Sequence, residues 1–185
     1  DMSWKNEIDL AGRLSQKYRY SLRKEILKKE DQFRVDYKKP TSEQEKIQAI
    51  DLYKQVYNRS SDISVFELPN TLFEHIFTSD SYDVINLYLV DGPKVPVGIM
   101  ISQIIDDKYH ALLVGLDYKY VFKKGTYKQI LYQAVKRAKE LNCSLIDLAY
   151  TAEMEKKKVG AIPEETFGFV LAREHFSHAE IETLK

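Results

Sequence analysis

Cysteine is nearly missing from this chain. Cys143 is the one thiol among 185 residues, so an internal disulfide is excluded and a reducing, cytoplasmic compartment is expected. No apolar run approaches the ~18 residues of a membrane-spanning helix. Neither sign of charge is in excess, with 28 Lys and Arg against 28 Asp and Glu, so no overall field favours nucleic acid, an anionic membrane or an acidic substrate. Electrostatic recognition must therefore be local. His175 and His178 lie in a polar tail and form no metal set with other residues at ligand spacing, so no zinc site is expected. Cys143 has no neighbouring His or Cys for thiol chemistry and reads as a small buried residue at a strand edge. Internal repeats, low-complexity segments and a signal peptide are also missing. The chain opens on Asp1 in an already helix-like segment, the pattern expected of a piece of a longer protein.

What is present is an apolar fraction of 44%, enough to build the core of one domain. Leu10, Leu14, Tyr18, Leu22 and Ile26 recur every four residues, and Arg13, Lys17, Arg19, Arg23, Lys24, Lys28 and Lys29 fill much of the remainder, which predicts a basic amphipathic helix over 10–30. Glu25, Glu30 and Asp31 partly neutralise it. Alternation of Phe33, Val35 and Tyr37 predicts a strand ended by Pro40. Ser42 and Glu45 stand at capping-box spacing ahead of a helix carrying Ile47, Ile50, Tyr53, Val56 and Tyr57, and a shorter helix with Leu72, Phe73, Ile76 and Phe77 follows Pro69. Three β-rich runs, 84–90, 95–104 and 109–116, are separated by turn residues and predict an antiparallel meander. Tyr127, Ile130, Leu131, Ala134, Val135, Ala138 and Leu141 trace the cleanest amphipathic helix, and Ser144 to Ala149 a short apolar strand. That helix between two strands predicts a βαβ crossover that sets 109–116 and 144–149 parallel. A short helix over 152–158 and a last strand near 166–172 complete the reading. The class is α/β, with a mixed central sheet of about six strands and helices on both faces.

A helix that starts directly after a glycine leaves its first N–H groups unpaired and its positive dipole end outward, which suits a phosphate or pyrophosphate. The loop Lys123-Lys124-Gly125-Thr126-Tyr127 offers that arrangement, with Lys119 and Lys128 adding local positive charge. The same residues also fit a plain helix start with solvated lysines.

The order of elements, together with Leu14 to Arg23, Gly115-Leu116-Asp117-Tyr118 and Thr151 to Ala161, resembles the GNAT acyltransferase superfamily. It is most similar to the bacterial branch that holds the Fem-type peptidoglycan-bridge aminoacyltransferases and the cellulose-biosynthesis-like acetyltransferases. The resemblance covers nearly the whole chain and implies a GNAT-like domain over 32–185, with 1–31 as a basic N-terminal helix or connector. It implies that an acyl carrier, acetyl-CoA or another acyl-CoA, lies in a V-shaped opening between 109–116 and 144–149. Leu116 would line that opening, and the pyrophosphate would rest on Lys123, Lys124, Gly125, Thr126 and Tyr127. Direct attack of a substrate amine on the thioester follows. The amine would be a small molecule or a cell-wall precursor.

The usual superfamily loop carries Gln or Arg three residues before the first glycine and a small residue two after it, where this chain has Phe122 and Tyr127. Fem-type relatives use aminoacyl-tRNA instead of coenzyme A and carry a lysine four residues before a glycine, as Lys156 stands before Gly160. That lysine would hold a carbonyl or phosphate, or else be one of three solvated lysines in a row. Direct transfer needs the amine deprotonated and the leaving group protonated, for which Asp117, Tyr118 and Tyr150 are the candidates, with His110 as a relay. Each also fits a plain role, Asp117 as a cap or turn residue and Tyr150 as a packed aromatic. The basic segment 13–29 would attract tRNA phosphates, or be solvated, or connect to an upstream domain. The resemblance implies that domains of this branch can follow a pyridoxal-phosphate enzyme of the 8-amino-7-oxononanoate synthase kind, and a non-catalytic accessory role is the third reading.

Overall fold

The structure, a computed structural model, describes residues 1–59 and 66–167. Helices α1 (Glu7–Arg13) and α2 (Gln16–Ser21) lead through a π-helical turn, Leu22–Ile26, and a 3-10 turn, Leu27–Gln32, into strand β1 (Phe33–Asp36). Then come α3 (Glu43–Tyr57), α4 (Asn70–Thr78), β2 (Tyr82–Leu89), β3 (Gly98–Ile105) and β4 (Lys108–Leu116). The chain continues through α5 (Tyr118–Lys124), α6 (Thr126–Glu140), β5 (Leu145–Asp147) and α7 (Glu153–Lys157). The strands are ordered β1-β2-β3-β4-β5; the first three pairings are antiparallel and β4–β5 is parallel, so α6 is the crossover of a βαβ unit.

Alternation along the strands divides the core in two. Val84, Ile99 and Ile101 face α3 and α4, where they meet Ile50, Tyr53, Phe73 and Phe77. Ile85, Leu87, Met100 and Tyr109 face the other way, onto Ile130, Leu131 and Val135 of α6 and the N-terminal segment. At α3 the expected capping box is complete: Ser42 accepts from the Glu45 amide, and the Glu45 carboxylate accepts from the Ser42 amide.

The single basic helix expected over 10–30 is instead four short pieces. Leu14 is extended, the Ser15 hydroxyl caps α2, and the Arg19 guanidinium folds back onto the carbonyls of Ala11, Gly12 and Leu14 at 3.0–3.2 Å, satisfying the end of α1. The four-residue spacing still marked the buried side chains, because Leu10, Leu14, Leu22 and Ile26 all enter the core. So do Met2 and Trp4. The Met2 amide donates to the Ser144 carbonyl at 2.9 Å, and Tyr132 of α6 donates to Glu7, so residues 1–31 are built into the same core as the sheet.

Among the described residues the sheet has five strands, not about six. Thr166 and Phe167 lie outside any strand, and the remainder of the last strand expected near 166–172 lies outside the described residues. The strand expected over 144–149 is shorter, ending at Asp147.

Candidate functional site

Strand β4 runs nine residues, yet it pairs with β5 only through Lys108↔Leu145, Tyr109↔Ile146 and His110↔Asp147. Beyond His110 it continues along β3 while, among the described residues, that edge makes no further strand pair, so the two strands part. A bulge lies at the parting: Ile101 faces Leu113 and Ser102 faces Ala111, leaving Leu112 without a cross-strand partner and 46% exposed. Bulges bend a strand and re-aim its backbone groups.

The chain leaves the sheet after β5 by a turn with three non-glycine residues in left-handed backbone, Ala149, Thr151 and Ala152. Such conformations cost on the order of 1 kcal/mol each and persist only where neighbours enforce them. Here the Asp147 carboxylate accepts from the Ala149 amide at 2.7 Å. Lys156 of α7, only 7% exposed, donates to the carbonyls of Ala149, at 2.9 Å, and Tyr150. Burial lowers the pKa of this ammonium, opposed by Asp147. Lys156 is therefore not one of three solvated lysines; its hydrogen bonds shape the turn. The Tyr150 side chain is 76% exposed rather than packed. His110 Nδ1 lies 3.4 Å from Asp147 Oδ2 at the last paired position.

On the other side of the gap, Leu116 is buried and Asp117 caps α5, accepting from the Lys119 amide at 3.0 Å. The Tyr118 amide donates to Gln55 Oε1 at 3.3 Å, and the Arg59 guanidinium lies 4.2 Å from the Tyr118 ring centre. The segment expected as a loop is largely helical: Lys123 and Lys124 form the last turn of α5, and Phe122 is exposed on it. One residue, Gly125 with φ +82°, ends α5 and starts α6, a left-handed position that favours glycine.

The first turn of α6 is less open than its sequence predicts. Thr126 is fully buried and Gln129 is 1% exposed, and among the described residues neither the Thr126 hydroxyl nor either end of the Gln129 amide has a hydrogen-bond partner. Burial pushes the Tyr127 phenol up to about 12, with Glu155 and Tyr118 adding to the shift. Lys128 pairs with Glu25 of the π-helical turn, and Lys158 reaches Glu25 at 3.3 Å and Glu155 at 2.9 Å. Hydrogen bonding from Lys128, against the opposing effect of burial, holds the Glu25 carboxyl down at about 2. Periodicity could not reveal this cluster; its one sequence signal is an acidic residue interrupting a basic run. Among the described residues no group of His, Cys, Asp and Glu could hold a metal, and no helix is long and apolar enough to cross a membrane.

Residues 16–157 match the family model described as an acetyltransferase (GNAT) domain. This chain belongs to that family. No curated protein matches the GNAT domain described here. Its fold is similar to that of an aminoglycoside acetyltransferase from an uncultured soil metagenomic sample in complex with sisomicin, at 13% identity and TM-score 0.57, covering 78% of this chain and 98% of that one. An aminoglycoside N-acetyltransferase in complex with CoA gives TM-score 0.54 at 13% identity, covering 76% and 96%. A GNAT family acetyltransferase from Staphylococcus aureus gives 0.53 at 16%, covering 76% and 98%. At such identities the likeness is one of fold.

Proposed function

We propose that this GNAT domain is an N-acyltransferase that moves an acyl group from acetyl-CoA or another acyl-CoA to an amine by direct attack. The observation that carries this reading is the early end of the β4–β5 pairing beside the Leu112 bulge, which among the described residues leaves extended β4 backbone without a pairing partner on that edge. Extended backbone of that kind can bond the amides of a pantetheine arm. In the reaction the amine nitrogen bonds to the thioester carbonyl carbon, the carbon–sulfur bond breaks, and the thiolate takes a proton. Asp117 is the candidate for taking the proton the amine loses, and Tyr150 or Tyr118 for supplying the one the thiolate gains. Leu116, Lys123, Lys124, Gly125, Thr126 and Tyr127 are assigned to the carrier. Lys156 is assigned to holding the Ala149 and Tyr150 carbonyls, which its two Nζ hydrogen bonds support. The amine is a small molecule, a class to which the aminoglycosides bound by the fold neighbours belong, or a cell-wall precursor.

Titration with coenzyme A tests the proposal. A ligand at 100 times its Kd stabilises the folded chain by about 2.7 kcal/mol, so the melting temperature should rise at millimolar coenzyme A, and acetyl-CoA should acetylate members of an amine panel. Unchanged melting together with no acetylation would refute it. The Fem-like reading, transfer from aminoacyl-tRNA, is favoured by Phe122 and Tyr127 flanking Gly125 and by the Lys156–Gly160 spacing; it predicts stabilisation by tRNA instead. An accessory role beside an upstream pyridoxal-phosphate enzyme predicts a response to neither.

A further inference from the structure

In the acyl-CoA reading above the carrier's phosphates come to the start of α6, and Glu25 is paired with Lys128 on that first turn. Its carboxylate lies between Lys128, on the first turn of α6, and Lys158, just past α7. Its carbonyl oxygen is so near the start of α6 that a Cβ added to Gly125 would sit 3.9 Å away. The π-helical turn Leu22–Ile26 places it there: Leu22 and Ile26 anchor the turn in the core, and Glu25 projects onto the two lysines. The first turn of α6 also carries buried polar atoms with no hydrogen-bond partner among the described residues, the Thr126 hydroxyl and both ends of the Gln129 amide. Buried polar atoms are normally paired, and three unpaired ones on the first turn of one helix leave hydrogen-bonding capacity there that the present packing does not use.

A second carboxylate supplies the contrast. Glu30, on the next turn, receives Gln133 at 3.0 Å and Lys136 at 2.7 Å. It clasps the same N-terminal segment to the middle of α6, away from the helix start. Clasping therefore does not require a carboxylate at Glu25, and its place between Lys128 and Lys158 beside the start of α6 calls for another explanation.

We propose that Glu25 is a donor-selectivity residue, a built-in anion that holds Lys128 and Lys158 and must be displaced before a diphosphate can settle at the start of α6. The inference rests on the acyl-CoA reading above. It makes the domain discriminate against donors carrying phosphate there unless the rest of the carrier repays the displacement. Removing the charge while keeping the shape should relax that discrimination.

The test compares Glu25→Gln, Glu30→Gln and the unaltered chain by calorimetric titration with coenzyme A and with pantetheine, which lacks the phosphates. Glu25→Gln should bind coenzyme A at least about five-fold tighter with pantetheine affinity unchanged, and Glu30→Gln should leave both unchanged. Equal or weaker coenzyme A binding by Glu25→Gln overturns the inference and leaves the acyl-CoA reading standing if the unaltered chain binds. Failure of coenzyme A to bind either chain overturns both. Should Glu25→Gln not fold, amide exchange in the unaltered chain decides: coenzyme A should speed exchange across 22–32, and slowed or unchanged exchange in the bound chain overturns the proposal.

Discussion

At the scale of single residues, the fold rests on a charged triad between layers. Arg137 of α6 bonds Asp83 of β2 through Nε at 3.2 Å and a terminal nitrogen at 2.8 Å, and the Tyr109 phenol of β4 donates to the same carboxylate at 2.8 Å. The Tyr37 ring lies 4.1 Å from the guanidinium. Burial, with Asp83 beside it, keeps the Tyr109 phenol protonated by raising its pKa. Removing one member of a mostly buried pair strands the other charge, so Arg137→Ala should lower stability by about 3 kcal/mol in urea unfolding. A loss below about 1 kcal/mol would mean that Asp83 is well solvated. None of this was legible in the sequence, where Asp83, Tyr109 and Arg137 lie far apart.

At the scale of elements, α3 lies directly on β4 because Gly115 has no side chain. A Cβ there would meet the Tyr53 amide nitrogen and the Leu52 carbonyl carbon at 2.6 and 2.7 Å, so backbone would have to move. Gly115→Ala should cost about 1–3 kcal/mol, at the upper end since no flexible side chain can yield, and should shift the β4 edge that borders the gap. A melting temperature unchanged within error would contradict this contact. Helices α3, α4 and α6 and the meander were legible, because their apolar periods of 3.6 and 2 persist across the element. The N-terminal segment kept a helical period yet is broken, since Ser15 and Arg19 satisfy backbone groups that a continuous helix would have satisfied itself. Helix α5 was read as loop because its seven residues are too few for periodicity to separate from a turn.

For the whole molecule, the N-terminal segment decides whether there is a core at all. Leu22 and Ile26 are fully buried, and Met2, Trp4, Leu10 and Leu14 are nearly so. Truncating one such side chain costs about 2–5 kcal/mol, against a net stability of about 5–15 kcal/mol for a domain. A chain beginning at Gln32 should therefore show no cooperative thermal transition by circular dichroism, and a sharp melt would show the boundary at 31/32 to be a real one. The sequence alone determined the class, the course of β1 to β4, α3, α4 and α6, and most buried positions, because each depends on local periodicity and on turn and cap residues acting over a few positions. Only the tertiary structure decided where β5 leaves β4, what Lys156 holds and that Glu25 pairs with Lys128 and Lys158. Those depend on groups far apart in the chain meeting in space, and no short-range pattern encodes such a meeting.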